Sequence, residues 1–324
     1  MGNCNCTSLK EENSEVYEAP LVPPITSNEE QILESSHLRI FSYEELKIAT
    51  KQFGNKSKLA IGGFGCVYRG RIWDTNNRKR VEVAVKRIAS GYIFVLAVQT
   101  EIKYLGDLRH PNLIRLIGYC REERNRVLVY EFMKRGSLEE CLIKRATDLS
   151  WNHRMKAVLG AARGLSFLHS EMNRNPTIIY RDFKSANVLL DSVSDTSYCS
   201  VLMFFFFSFQ KALTLFFCQQ NYNAKLSDFG IVTPKSDVYC FGAVLVEVLS
   251  GRLASNQHKL VEWAKPNLNP TRLSFVLDHR LGQKYSLNET REVAALALRC
   301  LDEDYMNRPF MAEVLEELEQ AIHG

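Results

Sequence analysis

The chain has 324 residues, of which 46% are apolar and 24% charged, a globular composition that excludes collagen, a coiled coil and wholesale disorder. Lys and Arg (41) exceed Asp and Glu (37) by only four, so no polybasic surface argues for nucleic acid. Nine cysteines without a secretory leader read as reduced intracellular thiols rather than a disulfide framework.

Residues 1–36 carry seven Glu against the single Lys10. With Pro20, Pro23 and Pro24 and little to bury, they read as a flexible acidic arm over about residues 1–40. No apolar run follows Met1, so the arm is not a signal peptide. Met1-Gly2-Asn3-Cys4-Asn5-Cys6-Thr7 instead offers Gly2 for myristoylation, although the usual Ser or Thr of the sixth position is Cys6. One myristoyl chain holds a membrane only marginally, so stable anchoring needs a second signal. The arm supplies no basic patch, and palmitoylation of Cys4 or Cys6 is the expected second anchor; an unmodified tail is the bland alternative.

Order begins at Phe41-Ser42-Tyr43-Glu44-Glu45-Leu46. Ser42 can cap a helix, Glu45 can return the bond of a capping box, and Phe41 can staple onto Leu46. Short β-rich runs follow from about 58 to 130, and long helical periodicities after them. Trp151, Met155, Val158, Leu159, Ala162, Leu165 and Leu168 make one apolar helix face. Ala294 to Leu301 and Val314 to Ile322 are further helices, the second entered through Pro309. A small β lobe precedes a larger α lobe.

The candidate chemistry comes in an ordered series. Gly62-Gly63-Phe64-Gly65-Cys66-Val67 suits a hairpin whose bare backbone can approach phosphates. Val81, Val83 and Val85 then alternate with Glu82, Ala84 and Lys86 as in a half-buried strand, which puts Lys86 on the face of Ala84. Glu101 sits in a helical pattern ahead of Leu105-Gly106-Asp107-Leu108-Arg109-His110-Pro111-Asn112. Each of these alone is matched by a bland reading: a common turn, a solvated lysine, a solvated helix face. Tyr180-Arg181-Asp182-Phe183-Lys184-Ser185-Ala186-Asn187-Val188-Leu189-Leu190 is harder to dismiss, and Lys225-Leu226-Ser227-Asp228-Phe229-Gly230 follows it. Five such phrases in one order are not chance.

The set resembles the eukaryotic protein-kinase domain over about residues 41–322. Tyr180-Arg181-Asp182-Phe183-Lys184, Leu128-Val129-Tyr130-Glu131-Phe132-Met133 and Leu260-Val261-Glu262-Trp263-Ala264 are most similar to plant receptor-like cytoplasmic kinases, relatives of Pelle and the interleukin-receptor-associated kinases. The resemblance implies an α+β, bilobal kinase fold, with an N-lobe at 41–133 and a C-lobe at 134–322. It also implies ATP and Mg²⁺ as cofactors, a protein Ser/Thr acceptor, and an upstream receptor kinase as partner. An acylated chain would sit at the cytoplasmic face of the plasma membrane, and nothing demands more than a monomer. Lys86 would hold the ATP phosphates and pair with Glu101, while Asp182 would accept the acceptor hydroxyl's proton. Lys184 would steady the transferred phosphoryl group, and Asn187 and Asp228 would ligate Mg²⁺. Ala60, Gly62, Gly63 and Gly65 would form the phosphate loop. Val67 and Ala84 would sandwich the adenine, and Glu131 and Met133 would meet its edge behind a gatekeeper at Tyr130. Tyr180 stands where many kinases have His.

Three departures from that pattern carry expectations. Ala60 replaces the first glycine of the phosphate loop, which predicts weakened ATP binding because Ala adds a methyl and resists φ > 0. Roughly 28 residues, about 193–220, separate Leu190-Asp191-Ser192 from Asn221-Tyr222-Asn223-Ala224-Lys225-Leu226, phrases that in the family flank a short turn between two strands. Seven of the chain's 18 Phe lie between 204 and 217, a β-prone aggregation hazard. Gln210 and Lys211 make the run too short for a membrane span; extra core is a second reading, and translated intron is the reading favoured. Last, Asp228-Phe229-Gly230-Ile231-Val232 runs straight into Thr233-Pro234-Lys235, without the activation segment and its Ala-Pro-Glu anchor. Arg181 and Arg308 thereby lose their usual partners, while Asp237 can still brace the catalytic loop. A Ser/Thr kinase with little activity is expected; a nucleotide-binding pseudokinase and a non-functional product are the alternatives.

Overall fold

The computed structural model describes residues 38–62, 65–74, 77–88, 98, 101–102, 105–106, 108–122, 125–144, 149–170, 179–180, 182–191, 199–201, 233–253, 257–282 and 284–323. Gly2, Cys4, Cys6, Gly63, Arg181, Asp228 and the Phe-rich run lie outside them.

Six strands form the N-lobe sheet: β1 (Arg39–Ile40), β2 (Lys58–Gly62), β3 (Gly65–Asp74), β4 (Lys79–Ile88), β5 (Leu116–Cys120) and β6 (Val127–Glu131). Their order is β1-β5-β6-β4-β3-β2, antiparallel except for the parallel pair β1–β5. The strict alternation in β4 buries Val83 and Val85 on the face away from the cleft, where they join Phe41, Leu46, Ile72, Cys120, Val127 and Val129. Phe41 and Leu46 reach that core because helix α1 (Tyr43–Ala49) packs beneath the sheet, its start capped by Ser42 Oγ, which accepts from Glu45 N–H at 3.1 Å. The second half of the expected capping box is not made. Glu45 Oε1 accepts instead from Arg39 Nη2 at 2.6 Å, a charged donor that outcompetes a backbone amide.

Gly118 lets β1 dock. A Cβ there would stand 1.9 Å from Arg39 O and 2.7 Å from the Phe41 ring. Gly118→Val is therefore expected to displace β1, at a cost on the order of 1–3 kcal/mol. The measurement is a lowered melting temperature together with faster proteolysis ahead of Ser42; unchanged protease sensitivity would refute it.

The C-lobe contains β7 (Gly136–Ser137), α2 (Leu138–Lys144), α3 (Trp151–Ser170), β8 (Val188–Leu190), β9 (Cys199–Val201), α4 (Pro234–Ser250), α5 (Gln257–Ala264), α6 (Leu287–Cys300) and α7 (Met311–His323). All seven residues of the apolar face predicted for α3 are buried. Helix α4 is apolar nearly all round, as a central buried helix must be, and α6 packs on it. Pro309 stands just ahead of α7 rather than inside it; Phe310 N–H is capped by Glu313 Oε2 at 2.6 Å. Cys66, Cys120, Cys141, Cys240 and Cys300 are free thiols, and no helix among the described residues is long and apolar enough to cross a membrane.

One pairing differs from expectation. The strand hydrogen-bonded to β8 on the side away from β7 is β9, within the inserted stretch; the segment around Ala224-Lys225-Leu226 lies outside the described residues. The eight residues between Leu190 and Cys199 make a much shorter closure than the 33 that precede Ala224. On loop-closure entropy alone the nearer strand gains about 1.2 kcal/mol.

Candidate active site

Register places the first group of candidate residues. Ala60 pairs with Val67, Val67 with Lys86, and Lys86 with Leu128; two residues along, Ala84 pairs with Tyr130. Residues directly opposite share a face, so Ala60, Val67, Ala84, Lys86 and Tyr130 line one side of the sheet. At its edge Gly62 pairs with Gly65, closing a hairpin over two residues. Gly65 has φ 131°, which a side chain would resist, and a Cβ on Gly62 would meet nothing within 4 Å. That open backbone is what a polyphosphate needs in order to approach. Ala60 keeps the negative φ of a strand residue, so the conformational penalty expected there does not arise and only its methyl remains.

Lys86 is buried, and its ammonium stands 3.2 Å from Glu101 Oε2. Burial pushes the Lys86 pKa down, and the Glu101 carboxylate opposes that shift. Glu101 lies in helical backbone that includes Val98, Ile102, Leu105 and Gly106. Its other oxygen, Oε1, accepts from the Tyr130 hydroxyl. Burial first, and then the Glu101 charge, raise the Tyr130 pKa well above its ordinary value, so the phenol stays a donor. This grip on Glu101 was not legible in sequence, where Tyr130 marked only the back of the adenine site. Tyr130→Phe removes a hydroxyl bonded to a buried carboxylate and should destabilise the chain by about 1.5–3 kcal/mol. A urea midpoint that falls at constant slope is the measurement, and an unchanged midpoint would count against it.

At the end of β6 the Glu131 N–H donates to Arg115 O at 3.1 Å, so any adenine contact from this residue must use its carbonyl. Met133 O accepts from Gly136 N–H at 3.4 Å, which leaves its N–H as the group for the adenine edge. The chain then enters β7, which pairs with β8 (Gly136 with Leu190, Ser137 with Leu189) and so ties this connection to the strand that follows Asn187.

The second group is held on α4. Asp237, fully buried in its first turn, accepts from Tyr180 N–H at 2.8 Å and lies 3.0 Å from His169 Nε2 at the end of α3. Phe183 wedges between Tyr180 and Phe241, with ring centroids 5.8 Å and 5.6 Å away. On that base the Asp182 carboxylate is half-exposed and takes the Lys184 ammonium at 2.9 Å. Asn187 Nδ2 donates to Asp182 O at 2.8 Å and to its carboxylate at 3.3 Å, which leaves Asn187 Oδ1 as its oxygen donor. His169 went unnoticed in the sequence; its one signal was a position at the end of the apolar helix. The structure thus gathers Lys86 with Glu101, and Asp182 with Lys184 and Asn187. Gly63 and Asp228 lie outside the described residues.

These residues fit a nucleoside triphosphate: an open glycine edge, a buried ammonium held in place, and a free hinge amide. For magnesium, Asn187 Oδ1 and the Asp182 carboxylate are oxygen donors of the kind that cation takes alongside water and phosphate, and Asp228, the second expected ligand, lies outside the described residues.

The Arg308 guanidinium, expected to lack its glutamate, donates to the carbonyls of Asp302 (2.8 Å) and Lys235 (3.1 Å) and stacks 4.8 Å from the Tyr239 ring.

Comparison with known proteins agrees with this geometry. The profile of the protein tyrosine and serine/threonine kinase family matches residues 53–318. Receptor-like cytoplasmic kinase 176 of Oryza sativa subsp. japonica is 40% identical, covering 97% of this chain and 84% of its own length. The probable serine/threonine-protein kinase PBL11 of Arabidopsis thaliana is 41% identical over 90% of this chain and 79% of its own. The rice alignment extends over 362 positions, more than the 324 residues of the chain, so that relative carries residues with no counterpart here. With the lysine–glutamate pair, the braced Asp182 loop and these relatives in one frame, the chain belongs to the receptor-like cytoplasmic branch of the protein serine/threonine kinases.

Proposed function

We propose that the gene's product transfers the γ-phosphoryl group of ATP to Ser or Thr of a protein partner near a membrane, and that this chain has kept the nucleotide cradle while losing most of the transfer activity. The observation that carries the reading is the buried Lys86–Glu101 pair at 3.2 Å, whose one evident use is to hold an ammonium toward phosphate oxygens. ATP, when bound, supplies the phosphoryl group. The Lys86 ammonium binds and orients its phosphates, and the Gly62 and Gly65 backbone covers them. Val67 and Ala84 pack on the adenine, with the Met133 N–H and the Glu131 carbonyl at its edge. Asp182 accepts the proton of the acceptor hydroxyl, and Lys184 supplies a positive charge beside the transferred group. Asn187 and Asp228 would hold Mg²⁺, which when bound would neutralise charge on the phosphates.

The loss of activity follows from positioning. Phosphoryl transfer depends on holding acceptor and donor in line. Val232 runs directly into Thr233, and no stretch remains to seat an acceptor peptide. Acylation of Gly2 with Cys4 or Cys6 would set the kinase at the cytoplasmic face of the plasma membrane, beside an upstream receptor kinase. A nucleotide-binding interaction module is the competing reading, favoured by the same missing stretch.

The experiment compares three proteins in a peptide phosphorylation assay: the chain as it stands, a repaired chain, and the repaired chain with Asp182→Asn. The repair removes 193–220 and grafts a relative's activation segment after Val232. The repaired chain should phosphorylate Ser/Thr peptides, with Asp182→Asn slower by roughly 10²–10⁴ and the present chain barely active. Equal turnover by the present and repaired chains would overturn the impairment, and an inactive repaired chain would overturn the kinase reading.

A further inference from the structure

The far end of the β3–β4 hairpin is basic. Register places Trp73 opposite Arg80 and Arg71 opposite Glu82, so Arg71, Trp73 and Arg80 share one face. It is the face of Lys86 and Ala84, continued away from the glycine edge to the other end of the strands. All three side chains are exposed, Trp73 by 51%. Lys79 begins β4 and Arg78 stands in the turn ahead of it, both exposed as well. Over residues 69–82 five cations (Arg69, Arg71, Arg78, Lys79 and Arg80) meet two acids (Asp74 and Glu82), a surplus of three. Glu82 is committed to Arg69 at 2.5 Å and Arg71 at 3.4 Å, and Asp74 accepts from Asn77 Nδ2 at 2.7 Å. The surplus therefore concentrates on Arg78, Lys79 and Arg80, beside the indole.

Neither feature stabilises the lobe: crowded like charges repel, and an exposed indole leaves apolar area in water. Together they suit a surface that is anionic outside and apolar just beneath, the combination a bilayer offers. Cations meet its anionic headgroups, and a Trp ring lodges at the boundary between water and hydrocarbon. An acidic protein surface would satisfy the cations and give the indole no use. The position of the hairpin supports the same occupant. Arg39 Nη1 donates to Trp73 O at 2.8 Å, so the chain enters the lobe through β1 beside the basic end. An acyl chain at Gly2 needs a second signal, and residues 1–36, with seven Glu against one Lys, supply no basic one.

We propose that the end of the β3–β4 hairpin, Trp73 with Arg71, Arg78, Lys79 and Arg80, is a docking surface for an anionic lipid bilayer and the second anchor beside an acylated Gly2. This deepens the membrane placement of the preceding section and rests on it for the acyl group. The glycine edge lies about 30 Å away along β3, so docking leaves the nucleotide entrance open.

The test is co-sedimentation of the full chain, unacylated and N-myristoylated, with vesicles of phosphatidylcholine alone and of phosphatidylcholine with phosphatidylserine in a two-to-one ratio. One variant combines Arg78→Gln, Lys79→Gln and Arg80→Gln. A control removes equal charge from exposed C-lobe positions: Lys259→Gln, Lys284→Gln and Arg291→Gln. Each cation near an anionic bilayer contributes about fivefold, so the hairpin variant should bind phosphatidylserine vesicles weaker by on the order of 10²-fold, and the control by no more than about threefold. Tryptophan emission of the unaltered chain should shift to the blue on phosphatidylserine vesicles alone. Trp151 is buried and Trp263 lies under Arg252, so Trp73 carries that shift and Trp73→Phe should abolish it. Equal losses in variant and control, or no preference of the unaltered chain for phosphatidylserine, would overturn the docking surface. Capture by poly-glutamate as tight as by vesicles, without a blue shift, would assign the patch to an acidic protein and overturn it as well. A myristoylated chain that binds no vesicle better than the unacylated one would overturn the acyl placement and the second-anchor role, whereas the unacylated chain decides the docking surface by itself.

Discussion

Replacing Lys86 by Met should lower the melting temperature of the chain and abolish its stabilisation by ATP. Glu101 is almost wholly buried, and its carboxylate rests on two donors, the Lys86 ammonium at 3.2 Å and the Tyr130 hydroxyl. Removing the ammonium leaves a buried negative charge with a single neutral partner, a defect that costs about 3–5 kcal/mol. In a domain of this size each kcal/mol moves the midpoint by about 2–4 °C, so a fall of roughly 6–20 °C is expected. Removing both charges together, Lys86→Met with Glu101→Leu, should recover much of that loss, because desolvating the pair is itself expensive. Differential scanning fluorimetry of the three proteins, with and without ATP, separates the two roles. A Lys86→Met protein that melts with the parent and still responds to ATP would remove the centre of the proposed site.

Asp278→Ala should be as damaging, far from the cleft and with no bearing on nucleotide. Arg154 on α3 is completely buried; its guanidinium meets Asp278 Oδ2 at 2.6 Å, Val248 O at 2.7 Å and Leu149 O at 3.1 Å. Arg280 contacts the same carboxylate at 2.7 Å and 2.9 Å and also bonds Leu142 O and Gly251 O. The cluster thus joins α2, α3 and the end of α4. Without Asp278 two guanidiniums lose their counter-charge, one of them where water cannot replace it, and about 3–5 kcal/mol should be lost. The urea midpoint should drop at unchanged slope.

Burial pushes the Asp278 carboxyl up, but the bonds from Arg280 and Arg154 outweigh it and hold the pKa at about 2. A carboxylate depressed in the folded state stabilises fully above its unfolded pKa, near 4, and loses that contribution as the pH falls toward 2. The gap between parent and Asp278→Ala should therefore be constant from neutral pH to about 5 and shrink between about 4 and 2. A gap independent of pH across that window would mean that packing, not charge, holds the cluster.

Much of this architecture could be read along the chain. The alternation around Lys86 and the apolar spacing from Trp151 to Leu168 both appear as written, because strand and helix periods repeat every few residues. The order of the motifs carried the chemistry of Lys86, Asp182 and Asn187. Glu45 shows where local reading ends: it satisfies the capping-box pattern, yet Arg39, six residues back, takes its carboxylate. Tyr130 with Glu101, His169 with Asp237, and Arg154 with Asp278 are separated by 29, 68 and 124 residues, and no local pattern links them.

The sequence by itself determined which reactive groups exist, in what order, and on which face of its strand or helix each falls. Only the tertiary structure decided that a strand of the inserted stretch pairs with β8, and which distant partner neutralises each buried charge. Periodicity is a property of neighbouring residues, whereas partner choice is a contest between distant ones, settled by loop-closure entropy and by the cost of leaving a charge unpaired away from water.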